Sequence, residues 1–326
     1  MLHLRLIVPA ASTDEVVALL ESTVGTAHLV VLPDAARSPA GDVVLCDVAR
    51  EAGDELIGAL RGLGIDRSGA ISVEHLDLTL SSRADRAERE APGDGADAVL
   101  WEELKETTHE DSTFSITYVS FLALATMLAA CGVMLDNAVL IVGAMALGPE
   151  FGPLAGISTA IVQRAPRLVA RSLWALIGGF VAAMLITAGF AWLMDTLGLF
   201  QRSMIEAERP ITGFIWQPDW MSFVVAFLAG TAGTLSLTSA KSGALIGVAI
   251  SVTTVPAAAN AAVAFSYRDY QQTIGSGQQL LANLGGIVLA GTLTLLLQKA
   301  LWRVRRTQKP PASTPGASVG GSSVRR

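Results

Sequence analysis

Cysteine and histidine are scarce in this chain, and their placement excludes several chemistries. The two cysteines, Cys46 and Cys131, fall in a predicted strand and inside an apolar helix, so neither a disulfide framework nor a thiolate metal cluster is expected. All four histidines, His3, His28, His75 and His109, precede the long apolar runs, which removes a histidine-ligated haem or quinone site from that region. No Gly-Lys-Ser/Thr phosphate loop, dinucleotide fingerprint or zinc-protease pattern occurs. Primary ATP-driven transport is therefore disfavoured, and no cofactor or metal is expected. Glu150, Lys241 and Asp136 form no recognisable catalytic constellation, so an enzyme ranks behind the other readings. No secretory leader is expected either, because Met1 to Ala10 reads as a short strand, His3-Leu4-Arg5-Leu6-Ile7-Val8, instead of a basic start and an apolar run. With a net charge of −6, no nucleic-acid partner is expected.

Apolar residues are abundant, at a mean hydropathy of +0.49, and unevenly spread. From Phe114 to Leu301 the chain runs through long stretches of Leu, Ala, Val, Ile and Gly, whereas the residues before Phe114 resemble a soluble domain followed by an acidic segment. In that first part, Leu2 to Val8, His28 to Leu32, Asp42 to Val48 and Ala70 to Leu78 carry strand patterns. Helical spacing covers the segment after Ser12-Thr13-Asp14-Glu15, ending near Thr23, and Glu51 to Leu63. The order β-α-β-β-α-β is that of a ferredoxin-like split unit, assigned to residues 1–79, with a turn at Pro39-Ala40 flanked by Asp34 and Asp42. A charged linker and connecting helix occupy 80–112, mobile by composition until a helix near Val99 to Thr107. A membrane domain fills 113–306, and a Pro/Gly/Ser-rich tail, 307–326, is expected to be disordered. The fold class is thus α+β, a ferredoxin-like domain joined to a polytopic helical bundle.

An apolar helix of roughly 20 residues crosses a bilayer. The candidates are Phe114 to Leu135, Ala138 to Val162, Leu168 to Met194, Trp220 to Thr238, Ser242 to Phe265 and Leu280 to Leu301, a total of about six, or five if an interrupted segment re-enters. Arg164, Arg167, Arg171, Lys241, Lys299, Arg303, Arg305 and Arg306 then share one side with the N-terminal domain, which makes that side the cytoplasm. Arg202, Arg209 and Arg268 are exceptions on the other. Trp174, Trp192, Trp216, Trp220 and Trp302 sit near span ends, as interfacial anchors do.

The second and fifth spans are interrupted, by Gly148-Pro149-Glu150-Phe151-Gly152-Pro153 and by Thr253-Thr254-Val255-Pro256. Proline lacks the backbone donor and glycine loosens the chain, so carbonyls are released where lipid offers no replacement. The candidate path residues are Gly148, Pro149, Glu150, Gly152, Pro153, Thr253, Thr254, Pro256, Asn260 and Asn283, whose backbone and side-chain groups could meet a solute or ion. Glu150 has two readings: a proton or cation relay at the mouth of two half-helices, or a hydrated turn residue near headgroup depth. Trp174-Ala175-Leu176-Ile177-Gly178-Gly179 is echoed by Leu281-Ala282-Asn283-Leu284-Gly285-Gly286, which reads either as two inverted three-span repeats or as convergent glycine enrichment at helix contacts.

Gly143-Ala144-Met145-Ala146-Leu147-Gly148-Pro149, Gly230-Thr231-Ala232-Gly233, Gly247-Val248-Ala249-Ile250 before Pro256, and Asn283 occur in an order that resembles a bacterial membrane family catalogued as domain of unknown function 389. The resemblance, over roughly Phe114 to Leu301, implies a membrane fold; together with the basic residues at the span ends, the expectation is a multi-pass protein of a bacterial inner membrane with cytoplasmic termini. It implies no substrate and no catalytic residue. Members generally carry an apolar residue where this chain has Glu150. The leading expectation is a secondary transporter or channel-like permease for an unidentified small solute or ion. The alternative is a membrane-anchored ligand-sensing or regulatory protein acting through the ferredoxin-like domain. The expected partners are the lipid bilayer and further copies of the chain, as a homo-oligomer, through the open sheet face and small-residue stripes.

Overall fold

A computed structural model describes residues 1–91, 98–239 and 254–308, the last six of these as backbone only. The chain separates into two compact units, one built on residues 1–95 and one on residues 96–300.

In the first unit, strands β1 (Leu2–Val8), β2 (Thr26–Arg37), β3 (Ala40–Val48) and β4 (Ala70–His75) form one sheet in the order β2-β3-β1-β4, with every neighbouring pair antiparallel. Alternation along β1 decides which side is core. Leu2, Leu4, Leu6 and Val8 are fully buried, while His3, Arg5 and Ile7 point to the other face. Val16 and Leu20 of α1 (Thr13–Ser22) and Leu56 and Leu60 of α2 (Arg50–Gly62) complete that core. Each of these large side chains contributes about 1.5–3 kcal/mol by leaving water. A short helix, α3 (Ile65–Ser68), leads into β4.

Two features of this unit depart from the sequence expectation. Asp42 does more than flank a turn: it accepts the Thr13 hydroxyl at 2.6 Å and the Asp34 backbone N–H at 2.9 Å, tying α1 to the β2–β3 hairpin. Those two donors hold its carboxyl below the usual carboxylate range. The charged segment contains a further helix, α4 (Ser82–Glu90), whose N-terminus is capped by Ser81 and whose Ala84 and Ala87 are buried. Two alanines among charged residues give a faint apolar signal, but their spacing of three places both on one helix face.

The second unit is helical. It comprises α5 (Trp101–Asp111), α6 (Ile116–Met134), α7 (Ala138–Leu147), α8 (Phe151–Gln163), α9 (Pro166–Thr196), α10 (Arg202–Glu206), α11 (Trp220–Thr238), α12 (Val255–Ser266) and α13 (Tyr270–Gln308). Among the described residues, four helices are long and apolar enough to cross a bilayer, namely α6, α9, α11 and α13. A fifth crossing results if α7 and α8, bent by 54° at their junction, form one span. This is therefore a membrane protein. Residues 242–253 of the expected fifth span, together with Lys241, lie outside the described residues, and α12 follows them. α13 begins ten residues earlier than the apolar run from Leu280, because its first turns are rich in Gln, Gly and Ser and carry no hydropathy signal. It buries Ser276.

Candidate functional site

The break between α7 and α8 starts from Pro149, which has no N–H to continue the helix. Pro153 is the third residue of α8 and Pro256 the second of α12, positions whose N–H groups would lack intrahelical partners anyway. Those two prolines start helices; only Pro149 sits within a break. Gly148 has an ordinary φ of −70°, so its glycine is required by space instead of by conformation. A Cβ there would lie 2.2 Å from Glu150 Oε2 and 2.9 Å from Val255 Cγ2. The starts of α8 and α12 thus meet over Gly148.

Glu150 stands at that meeting point with no exposed surface. Its Oε1 accepts the Thr254 hydroxyl at 2.6 Å, joining the starts of α8 and α12 across more than a hundred residues of sequence. Its Oε2 has no partner among the described residues, nor has the buried hydroxyl of Tyr118 on α6, which interacts electrostatically with Glu150. A buried carboxyl oxygen and a buried phenol, both unsatisfied, are groups that a water, proton or small ligand would complete.

The other expected site residues divide into separate places. Gly152 packs on α5, where a Cβ would come within 2.5 Å of Asp111 Cβ. One turn on, Gly156 lies under the 2.8 Å hydrogen bond that Ser172 donates to Ser112. Asn260 is fully buried, yet its bonds run away from Glu150: Arg209 donates to its Oδ1 at 2.8 Å, and its own amide donates to Ser276 at 2.7 Å. Asn283, also fully buried, accepts from Gln279 at 3.4 Å. Thr253 lies outside the described residues.

The sequence reading missed Tyr118, Arg209 and Gln272. A lone tyrosine in a predicted span and an arginine on the side where basic residues are scarce were the available signals. Near Arg209, Asp136 (φ 46°) accepts the backbone N–H of Thr212 and of Ile211 and the Thr212 hydroxyl, at 2.8, 3.3 and 2.8 Å. Burial opposes its ionisation, but those bonds prevail and hold the carboxyl below its usual range. The connection between α9 and α11 is thereby fastened to the turn between α6 and α7.

A second constellation occupies the first unit, on the sheet face opposite Leu2, Leu4 and Leu6. His3 Nδ1 and His28 Nδ1 each lie 2.7 Å from one oxygen of Asp47, and His28 Nε2 lies 2.8 Å from Ser81 Oγ. His28 adopts a left-handed φ of 52°, unusual for a residue with a side chain.

Residues 145–289 match the model of the family described as Domain of unknown function (DUF389). These residues belong to the DUF389 family. The DUF389 region starts within α7, ends within α13, and contains Glu150, Arg209, Thr254, Asn260, Gln272 and Asn283, while Tyr118 precedes it. The chain is also 24% identical to the uncharacterized protein MJ0678 of Methanocaldococcus jannaschii over 179 residues, 55% of this chain. That match spans 52% of the relative, about half the length of the curated protein. No solved structure matches.

Proposed function

We propose that this DUF389 protein is a secondary transporter or channel-like permease for a small solute or ion, with Glu150 as its proton or cation relay. The observation that carries the reading is the buried Glu150–Thr254 bond where the starts of α8 and α12 meet, with Oε2 left open. Interrupted helices facing one another are a recurrent way to build a coupling site. The reading takes α6, α7 with α8, α9, α11, the segment ending in α12, and α13 as six spans in two inverted halves. α12 alone, at about 18 Å, is shorter than a hydrocarbon core of about 30 Å. The first unit is read as ferredoxin-like and cytoplasmic, together with both termini, in an inner membrane, and the assembly as a homo-oligomer. Labelling of cysteines placed at Arg164 and Gln201 from opposite sides tests the orientation.

The relay is tested in proteoliposomes under an imposed pH or cation gradient, comparing current from the wild type and Glu150→Gln. The variant should insert and assemble normally and lose the gradient-dependent signal. Equal signals from the two proteins exclude Glu150 as a relay.

A second reading, a membrane-anchored sensor, is favoured by the His3–Asp47–His28–Ser81 cluster, which offers imidazole, carboxylate and hydroxyl groups on the sheet face opposite Leu2, Leu4 and Leu6. Ligand-dependent protection of β1 and β3 from amide exchange, with no flux in liposomes, would support it over transport.

A further inference from the structure

The connection between α9 and α11 folds back as α10 and a turn of 3-10 helix, Gly213–Trp216, and between them buries Arg209 to 8% exposure. A guanidinium out of water is costly unless its charge is met. Here its direct partners are neutral: Nη1 donates to Asn260 Oδ1, and Nη2 donates to Gln272 Oε1. Both amides are fixed with their oxygens toward the arginine, because Asn260 donates from its nitrogen to Ser276, and Gln272 from its nitrogen to the Ile205 carbonyl at 3.1 Å. The carboxylates that attract Arg209 through space, Asp136 and Asp269, are engaged elsewhere. Asp136 receives Thr212 and Ile211, and Asp269 receives the Gln272 backbone N–H at 3.1 Å. Among the described residues no carboxylate pairs directly with Arg209.

This arginine lines a cavity of about 440 Å³, within the range of small-molecule sites, together with Glu206, Glu208, Trp216 and Gln272. Two of the five guanidinium donors are committed to the amides, and the rest remain for a ligand. Glu206 is held by Arg202 at 2.6 Å, whereas Glu208 is exposed. A simple anion entering the cavity would meet Glu208 as well as Arg209, and a simple cation would leave Arg209 unmatched. A molecule carrying both charges meets each with its opposite, and Trp216 supplies an apolar wall.

We infer that this cavity binds a small zwitterion, its carboxylate on Arg209 and its ammonium toward Glu208. A planar, bidentate match of carboxylate to guanidinium is the contact that arginine makes and lysine does not. The inference is independent of the relay at Glu150, since equilibrium binding requires no flux.

The test is calorimetric titration of the full-length protein in lipid nanodiscs with three probes of similar shape: leucine, 4-methylpentanoate, which lacks the ammonium, and 3-methylbutylamine, which lacks the carboxylate. Leucine should bind, and each singly charged probe should bind more weakly by about tenfold or more, the loss expected for one charged hydrogen-bonding group. Arg209→Lys should weaken leucine by a similar factor. Because Arg209 also supports the fold, Glu208→Gln at an exposed position supplies the second variant: it should weaken leucine and leave 4-methylpentanoate unchanged or tighter. The inference is overturned if no probe binds at millimolar concentration, if 4-methylpentanoate binds as tightly as leucine, or if Glu208→Gln leaves the preference for leucine intact.

Discussion

Replacing Thr254 by valine removes one hydroxyl at nearly constant volume, and with it the bond between the two interrupted segments. Thr254 and Glu150 are both fully buried, and the bond is 2.6 Å long. Hydrogen bonds between membrane helices average only ~0.6 kcal/mol, because the unfolded chain in the bilayer finds other partners. A carboxyl acceptor raises the value to about 1.5–3 kcal/mol when it is ionised. The other carboxyl oxygen, Oε2, has no partner among the described residues. A loss of about 2 kcal/mol is therefore expected for Thr254→Val, roughly a thirtyfold shift toward the unfolded form. Thr254→Ser keeps the hydroxyl and loses a methyl group, so it should cost only about 1 kcal/mol. In a Glu150→Met background, which lacks the acceptor, the effect of Thr254→Val should nearly vanish. Reversible unfolding in mixed micelles, followed by tryptophan fluorescence, measures all of these variants. If Thr254→Val loses no more stability than Thr254→Ser, or loses as much in the Glu150→Met background, the bond does not hold the two segments together.

Two further predictions concern packing and pH. Gly156→Ala would put a methyl group 2.4–2.5 Å from the Ser112 and Ser172 oxygens and should cost about 1–3 kcal/mol, whereas Gly189→Ala, with nothing within 4 Å of the new atom, should be neutral; the same unfolding assay compares them. Asp42→Asn should loosen the β2–β3 hairpin. Since the folded carboxyl lies below its unfolded value of about 3.9, the wild-type advantage is complete above that pH and disappears as the pH falls through the folded value. Amide exchange across β3 in the full-length protein, corrected for intrinsic rates, should show the wild type and Asp42→Asn converging in acid and separating toward neutrality.

What could be read from residues alone followed how strongly each element declares itself. β1 alternates apolar with polar from Leu2 to Leu6, and the apolar stretches of α6, α9 and α11 are long, so the order of elements was legible. The break at Pro149 was legible too, because a proline followed by an acid cannot be mistaken inside an apolar run. Pro153 and Pro256 were harder, since a proline that begins a helix and one that interrupts it look alike until the helix start is known. The role of Gly148 depends on Val255 arriving opposite it, and the environment of Asn260 depends on Arg209 arriving from a loop. Both are long-range facts with no local signature. Charged residues hid α4, and a polar beginning hid the first turns of α13.

At 39 residues, α13 is about 58 Å of continuous helix, nearly twice the thickness of a hydrocarbon core. Gln272 near one end grips the Arg209 guanidinium, and some 24 Å along the same rod the Val288 carbonyl accepts the Ser158 hydroxyl of α8, whose next contact point, Gly291, leaves no room for even a methyl group between the helices. One continuous helix thus touches the arginine cavity through Gln272 and, through Val288, reaches α8, the helix that begins beside Glu150.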